Sequence, residues 1–130
     1  MFELKGKTAL VTGAAKRVGK AISIGLAEQG INVKVGRFLF RMLGKAHVMG
    51  EITGMVKILA GAGSGKVLGV HIIGAHASDL VHEGALAMHA GMTAEAIAGM
   101  MHAHPTLAEC VMEAAADVHG EAIHTMKGQG

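Results

Sequence analysis

The chain has 130 residues, of which 51% are hydrophobic and 17% are charged, and its formal net charge is +2 with histidine counted as neutral. This length suits one domain with a single buried core, and the apolar content argues against a disordered chain. No dense run of Lys and Arg is interleaved with aromatic residues, which argues against a nucleic-acid-binding surface.

The apolar residues are mostly aliphatic, since the chain has three Phe, ten Met, no Trp and no Tyr. A positive mean hydropathy in a short chain predicts a face that another subunit covers, so we expect a homo-oligomer, most simply a dimer. The single cysteine, Cys110, excludes an internal disulfide and favours a reducing compartment such as the cytoplasm. We expect no signal peptide and no membrane span.

The first 35 residues predict a strand, a helix and a strand. Residues 8–11 are apolar and end at a Thr12-Gly13 turn, which is typical of a buried strand. Apolar residues at helical spacing follow over residues 18–29, and Gly30 ends that helix. A second strand begins at residue 31.

Residues 7–22 (KTALVTGAAKRVGKAI) resemble the opening of the short-chain dehydrogenase/reductase family. In that family the turn after the first strand holds the phosphates of a dinucleotide at a helix N-terminus. The resemblance makes Gly13, Lys16, Arg17 and Gly19 candidate cofactor-binding residues, with the basic pair favouring NADP. The alternative is an ordinary strand–helix unit, because Arg17 stands where that family usually has a glycine and a chain without tyrosine lacks its catalytic Tyr.

The middle of the chain predicts an antiparallel sheet. Strands are expected at residues 35–40, 54–60 and 67–74, and the last two are joined by a glycine-rich turn at residues 61–66. Three helices follow. Ser78 is expected to cap the first, over residues 79–90, with Gly91 as its stop, and Thr93 the second, through residue 100 or 101. The third is expected to end near residue 118 or 119, before Gly120, and to be followed by a frayed tail at residues 125–130.

Eight residues, 102–109 (HAHPTLAE), hold the only proline of the chain, two of its nine histidines and a carboxylate five residues after the second histidine. His104 and Glu109 have the residue types of an acid–base pair. Thr106 and Glu109 also have the spacing of a capping box, so a plain start to the third helix is the alternative.

Residues 31–124 resemble the C-terminal interface domain of dihydrolipoamide dehydrogenase, an FAD-dependent pyridine nucleotide-disulphide oxidoreductase. The resemblance rests on five stretches in order, namely residues 34–38 (KVGRF), 54–59 (GMVKIL), 67–74 (VLGVHIIG), 82–88 (HEGALAM) and 102–109. It implies an α+β fold in which an antiparallel sheet is flanked by helices and the domain forms the subunit interface.

The same resemblance implies roles for the octet. His104 would act as a general base beside the flavin and redox disulfide of the partner subunit, and Glu109 would orient its ring. The His104–Pro105 peptide bond would be cis. His102 is interpreted as structural and Cys110 as a packed core residue. The intact enzyme uses FAD and NAD, and this chain encodes neither their domains nor a second cysteine. We therefore predict a vestigial dyad in a chain that binds no cofactor and is not an enzyme by itself.

The two resemblances meet near Gly30, which suggests a chimera within a single domain of residues 1–130. A reductase-like strand–helix would occupy residues 1–30, and the interface domain residues 31–124. The alternative function is that of an NADP(H)-binding fragment.

The histidines also raise the question of a metal site. His82 and His89 share a helix face near Glu83, and His102 and His104 form an HxH pair. None of these completes a set of three or four ligands at a recognised spacing, so we predict no metal.

Overall fold

The sheet and helices that the sequence predicts lie in residues 32–125, the part of the chain that the computed structural model describes. The strands are β1 (Val33–Leu39), β2 (Gly54–Gly61) and β3 (Val67–Gly74). A short 3₁₀ turn spans Phe40–Met42, and the helices are α1 (Gly44–Met49), α2 (Ala77–His89), α3 (Ala94–Ala98) and α4 (Glu109–Asp117). The strand and helix predicted before Gly30 lie outside the described residues.

The three strands form an antiparallel sheet in the order β1-β2-β3. Phe38 pairs with Val56, and Val56 pairs with Ile72, so these side chains share one face. Val56, Ile58 and alternate residues of their strand are buried, as expected for a strand that packs on one side. The α+β class with an antiparallel sheet is confirmed for this part of the chain.

Helices cover the inner face of this sheet. Helix α4 packs on β1 and β2, α2 packs on β3, and α3 packs on α4. The largest side chains that this arrangement buries fully include Phe38, Phe40, Ile58, Ile97 and Val111. Burying side chains of this size is the main stabilising contribution, at roughly 1.5–3 kcal/mol for each.

Two glycines allow the helices to approach the sheet closely. A Cβ on Gly36 of β1 would collide with the carbonyl oxygen of Ala114 in α4. A Cβ on Gly84 of α2 would lie 2.8 Å from the side chain of Val70 in β3. Neither glycine has a positive φ angle, so contact distance and not backbone conformation requires them.

The helix boundaries differ in part from those predicted. Thr93 caps α3 as expected, since its Oγ1 accepts a hydrogen bond from the Ala96 N–H at 3.2 Å, but the helix ends at Ala98. The prediction that Ser78 caps α2 is wrong, because the helix begins at Ala77 and His76 holds the cap position with a φ of 56°. Helix α1 was not predicted, since six residues are too few to show a clear period.

The outer face of the sheet carries a row of basic side chains. Arg37 pairs with Lys57, and Lys57 pairs with His71, so the three lie side by side across the strands. Burial, followed by the charge of Arg37, lowers the pKa of Lys57. Burial, followed by the charge of Lys57, lowers the pKa of His71. Val35 and Ile73 are exposed on the same strands.

Among the described helices, none has both the length and the apolar content needed to cross a bilayer.

Replacing Gly36 by Ala tests the close approach of β1 and α4. Because the new Cβ would meet backbone atoms of α4, which cannot rotate away, we expect G36A to lower the free energy of unfolding by about 3 kcal/mol. Urea denaturation followed by circular dichroism measures this change. The matched control is G44A, where a Cβ would meet no atom within 4 Å. Equal stability of the two variants would contradict the packing described.

Candidate functional site

The octet forms a turn that leads into α4 and holds His104 next to Glu109. His104 Nδ1 lies 2.8 Å from Glu109 Oε1. The ring is 79% exposed, whereas the carboxylate is 11% exposed. The His104–Pro105 peptide bond is cis, as expected. The structure therefore brings together the two residues that the sequence proposed as an acid–base pair.

The second oxygen of Glu109 is also occupied. Glu109 Oε2 accepts a hydrogen bond from the Thr106 backbone N–H at 2.8 Å. This is one half of the predicted capping box. The other half does not form, because the Thr106 hydroxyl donates to the Ala103 carbonyl at 2.7 Å. The prediction that Thr106 caps the third helix is therefore wrong, and α4 begins at Glu109 with Ala108 at its N-cap. Glu109 lies in the first turn of α4, where the helix dipole favours a negative charge.

Burial and hydrogen bonding shift the pKa of Glu109 in opposite directions. Burial, the largest single effect, acts to raise its pKa. The hydrogen bonds from Thr106 and His104, together with the positive charge on His104 and His124, outweigh burial and lower the pKa below its ordinary value of 4.5. Glu109 is therefore an anion at neutral pH.

An anionic Glu109 determines which nitrogen of neutral His104 carries the hydrogen. A carboxylate only accepts hydrogen bonds, so Nδ1 must be the donor and Nε2 carries the lone pair. With the ring largely exposed, the free Nε2 is available as a proton acceptor. The arrangement is that of a base held by an orienting carboxylate.

The neighbouring histidine has a different environment. The His102 side chain is only 3% exposed, and its Nε2 lies 2.8 Å from Glu83 Oε1 of α2. Its Nδ1 lies 3.0 Å from the carbonyl oxygen of Met100. The structural interpretation of His102 agrees with this burial. The pairing with Glu83 was missed, because 19 residues separate the two and no spacing rule links them.

A second pair like the first lies one turn further along α4 and was also missed. His124 Nδ1 lies 2.6 Å from Glu113 Oε1, and Glu113 Oε2 accepts the Ile123 backbone N–H at 2.8 Å. Glu113 is 1% exposed and the His124 ring is 57% exposed. Glu113 is a charged residue on the buried, apolar face of α4. That position was the only sequence signal for the pair.

Cys110 and the histidines of α2 do not add to the site. Cys110 is fully buried, and burial, followed by the charges of Glu109 and Glu113, raises its pKa to about 12. Its thiol is therefore inert at neutral pH, as its interpretation as a core residue implies. Within residues 32–125, no group of three or more His, Cys, Asp or Glu side chains is arranged to hold a metal ion.

A cavity of about 300 Å³ lies between α3, α4 and the segment that follows α4. Its walls include Glu95, Glu113, His119 and Ile123. His119 Nε2 lies 2.9 Å from Glu95 Oε1, although the two are not aligned for a hydrogen bond. His104 does not line this cavity, so a reactant for its Nε2 has to approach from the exposed side of the octet.

The candidate cofactor-binding residues Gly13, Lys16, Arg17 and Gly19 lie outside the described residues. Their assignment to a dinucleotide stays a prediction.

The pH dependence of stability tests the Glu109 contacts. Because folding lowers the pKa of Glu109, its contribution is full above the unfolded value of 4.5 and is lost as the pH falls through the lower folded value. We expect E109Q to lower the free energy of unfolding by about 1 kcal/mol at pH 7, with the difference from the wild type shrinking toward pH 3. Urea denaturation across this range measures it. E51Q, at an exposed glutamate, is the control. A constant difference at all pH values would rule out the ionised contacts.

Comparison with known proteins agrees with the fold. The family model described as "Pyridine nucleotide-disulphide oxidoreductase, dimerisation domain" matches residues 18–115. Dihydrolipoyl dehydrogenase of Bacillus subtilis is 44% identical over 110 residues, which cover 81% of this chain and 23% of that protein. Dihydrolipoyl dehydrogenase of Haloferax volcanii is 46% identical over 99 residues, which cover 76% of this chain and 21% of that protein. The chain thus spans about a fifth of the length of these relatives.

Solved structures share the fold. LpdA from Mycobacterium tuberculosis superposes with a TM-score of 0.66 at 24% identity, over 74% of this chain and 20% of that one. The HOCl-induced flavoprotein disulfide reductase RclA from Escherichia coli superposes with a TM-score of 0.65 at 18% identity, over 69% of this chain and 21% of that one. With the family match covering most of the described residues, the chain belongs to the dimerisation-domain family of the pyridine nucleotide-disulphide oxidoreductases.

Proposed function

We propose that this chain is a self-associating interface domain of the dihydrolipoamide dehydrogenase type, which contributes the acid–base half of a site that two subunits share. The observation that carries the proposal is the environment of His104. Its Nδ1 is tied to a mostly buried carboxylate, while its ring is 79% exposed. A base that is oriented from inside the domain and exposed outside it fits a reactant supplied by another part of the assembly.

The chemistry assigned to His104 is proton transfer with a thiol. His104 Nε2 accepts the proton of a dihydrolipoamide thiol or of the redox dithiol, and the Glu109 carboxylate stabilises the imidazolium that results. In the intact family enzyme, FAD and NAD supply the electron acceptors. We assign no residue of 32–125 to either cofactor, and Glu109 stays anionic throughout.

An isolated chain of this kind is proposed to be structural and not catalytic. The relatives that it matches are named as dehydrogenases, and the chain covers 23% and 21% of their lengths. The 130-residue sequence contains one cysteine, and that residue is buried with a pKa raised to about 12. A redox cysteine pair therefore cannot come from one copy of this sequence. The proposed compartment is the cytoplasm, where such thiols stay reduced.

The reductase-like reading of residues 5–30, and with it the chimera and the NADP(H)-binding alternative, remains a prediction. The family match begins at residue 18, inside that segment. An NADP(H) titration of the chain and of variants at Gly13 and Gly19 tests it, since the alternative needs saturable binding that these variants lose.

Self-association is the direct test of the proposed function. Met101, directly before the octet, is 95% exposed, and we propose that the partner subunit covers this surface. In sedimentation equilibrium at micromolar concentrations we expect dimers of the wild type. M101E should weaken association on the order of tenfold or more, because a buried carboxylate at an interface is costly.

The matched control is V48E, which places the same charge at an 80% exposed apolar residue of α1. It should leave association unchanged. A strictly monomeric wild type would contradict the proposed function, and weakening by V48E alone would contradict the choice of surface.

A further inference from the structure

The buried pair of His102 and Glu83 lies directly beside the proposed base in sequence. His102 Nε2 faces Glu83 Oε1 at 2.8 Å, and its Nδ1 faces the Met100 carbonyl at 3.0 Å. With the ring 3% exposed, water cannot replace these partners. The contact with Glu83 connects the octet to α2, a helix that ends well before the octet in the sequence, at His89.

Helix α2, which carries Glu83, is packed closely against the sheet. Gly84, the residue after Glu83, approaches β3 so closely that a Cβ would lie 2.8 Å from Val70. The helix backbone at Glu83 is thereby held at a set distance from the sheet. Glu83 itself is 24% exposed, so its carboxylate lies at the edge of the buried region and reaches His102 from there.

The turn that carries His102 and His104 is thus tied to two carboxylates on different helices. Among the described residues, the side-chain hydrogen bonds that tie residues 101–105 to helices are His102 to Glu83 of α2 and His104 to Glu109 of α4. The other side-chain hydrogen bonds there are local, such as that of Thr106 with Ala103. One residue, Ala103, separates the two histidines. Because so short a segment of chain joins them, a displacement of His102 also displaces His104.

We propose that Glu83 and His102 are positioning residues for His104. They hold the start of the octet against α2, so that the His104 ring meets Glu109 with Nδ1 as its donor and presents Nε2 outward. This inference rests on the proposed function, since it concerns the same base. A purely structural pair would stabilise the domain without changing the hydrogen bond of His104.

The test is the tautomer of neutral His104, read from long-range ¹H–¹⁵N correlation spectra of the uniformly ¹⁵N-labelled full chain. In the wild type the Nδ1–H form should dominate. In E83A the ratio of the Nδ1–H to the Nε2–H form should fall on the order of tenfold, the change that corresponds to losing a hydrogen bond to a charged group. H102L should have the same effect from the other side of the pair. E83Q should restore most of the wild-type ratio, because its amide oxygen still accepts from His102.

Two controls separate positioning from general loosening. D79A removes the carboxylate of the exposed His76–Asp79 pair on the same helix and should leave His104 unchanged. His124, which is held by Glu113, should keep its tautomer in every variant and reports that the domain remains folded.

A wild-type ratio in both E83A and H102L would overturn the positioning inference and leave the proposed function standing. A wild-type chain without a dominant Nδ1–H form at His104 would overturn both. A change at His104 that is matched at His124 would also overturn the inference, because it would show a general loss of packing.

Discussion

The site depends on one carboxylate that accepts two hydrogen bonds. Glu109 receives the Thr106 backbone N–H on one oxygen and the His104 ring on the other, each at 2.8 Å. The first contact locks the carboxylate to the start of α4, and the second transmits that orientation to an exposed imidazole. The carboxylate that accepts the Thr106 N–H in the turn before α4 is therefore the same one that orients His104, although Thr106 does not cap the helix.

The rest of the fold keeps this carboxylate in place. Helix α4 lies so close to β1 that position 36 accommodates only a glycine, and α2 is held against β3 in the same way at Gly84. These two contacts set the distance between the helices that carry Glu109 and Glu83. The octet spans the gap between them, with His102 buried on the α2 side and His104 exposed near α4. A rigid core thus supports a site that opens outward.

The sequence predicted the parts of this structure that depend on local pattern. Apolar runs on either side of a glycine-rich turn located β2 and β3, and Thr93 caps its helix as expected. The capping-box spacing placed the start of the third helix at Thr106, whereas α4 begins at Glu109 with Ala108 at its N-cap. Contacts between residues distant in sequence were not predicted. The Glu83–His102 and Glu113–His124 pairs join residues 19 and 11 apart. The close approach at Gly36 also depends on tertiary packing, since a glycine in a strand shows its contact only when the partner helix is in place.

The titration of the Glu109 side-chain carboxyl, followed by ¹³C NMR in the full chain, tests this account most directly. Burial and hydrogen bonding act on this group in opposite directions, and the account requires that the hydrogen bonds prevail. Its midpoint should then lie below the ordinary value of 4.5. A Glu109 midpoint above 4.5 would show that burial dominates, and would contradict a carboxylate held by Thr106 and His104.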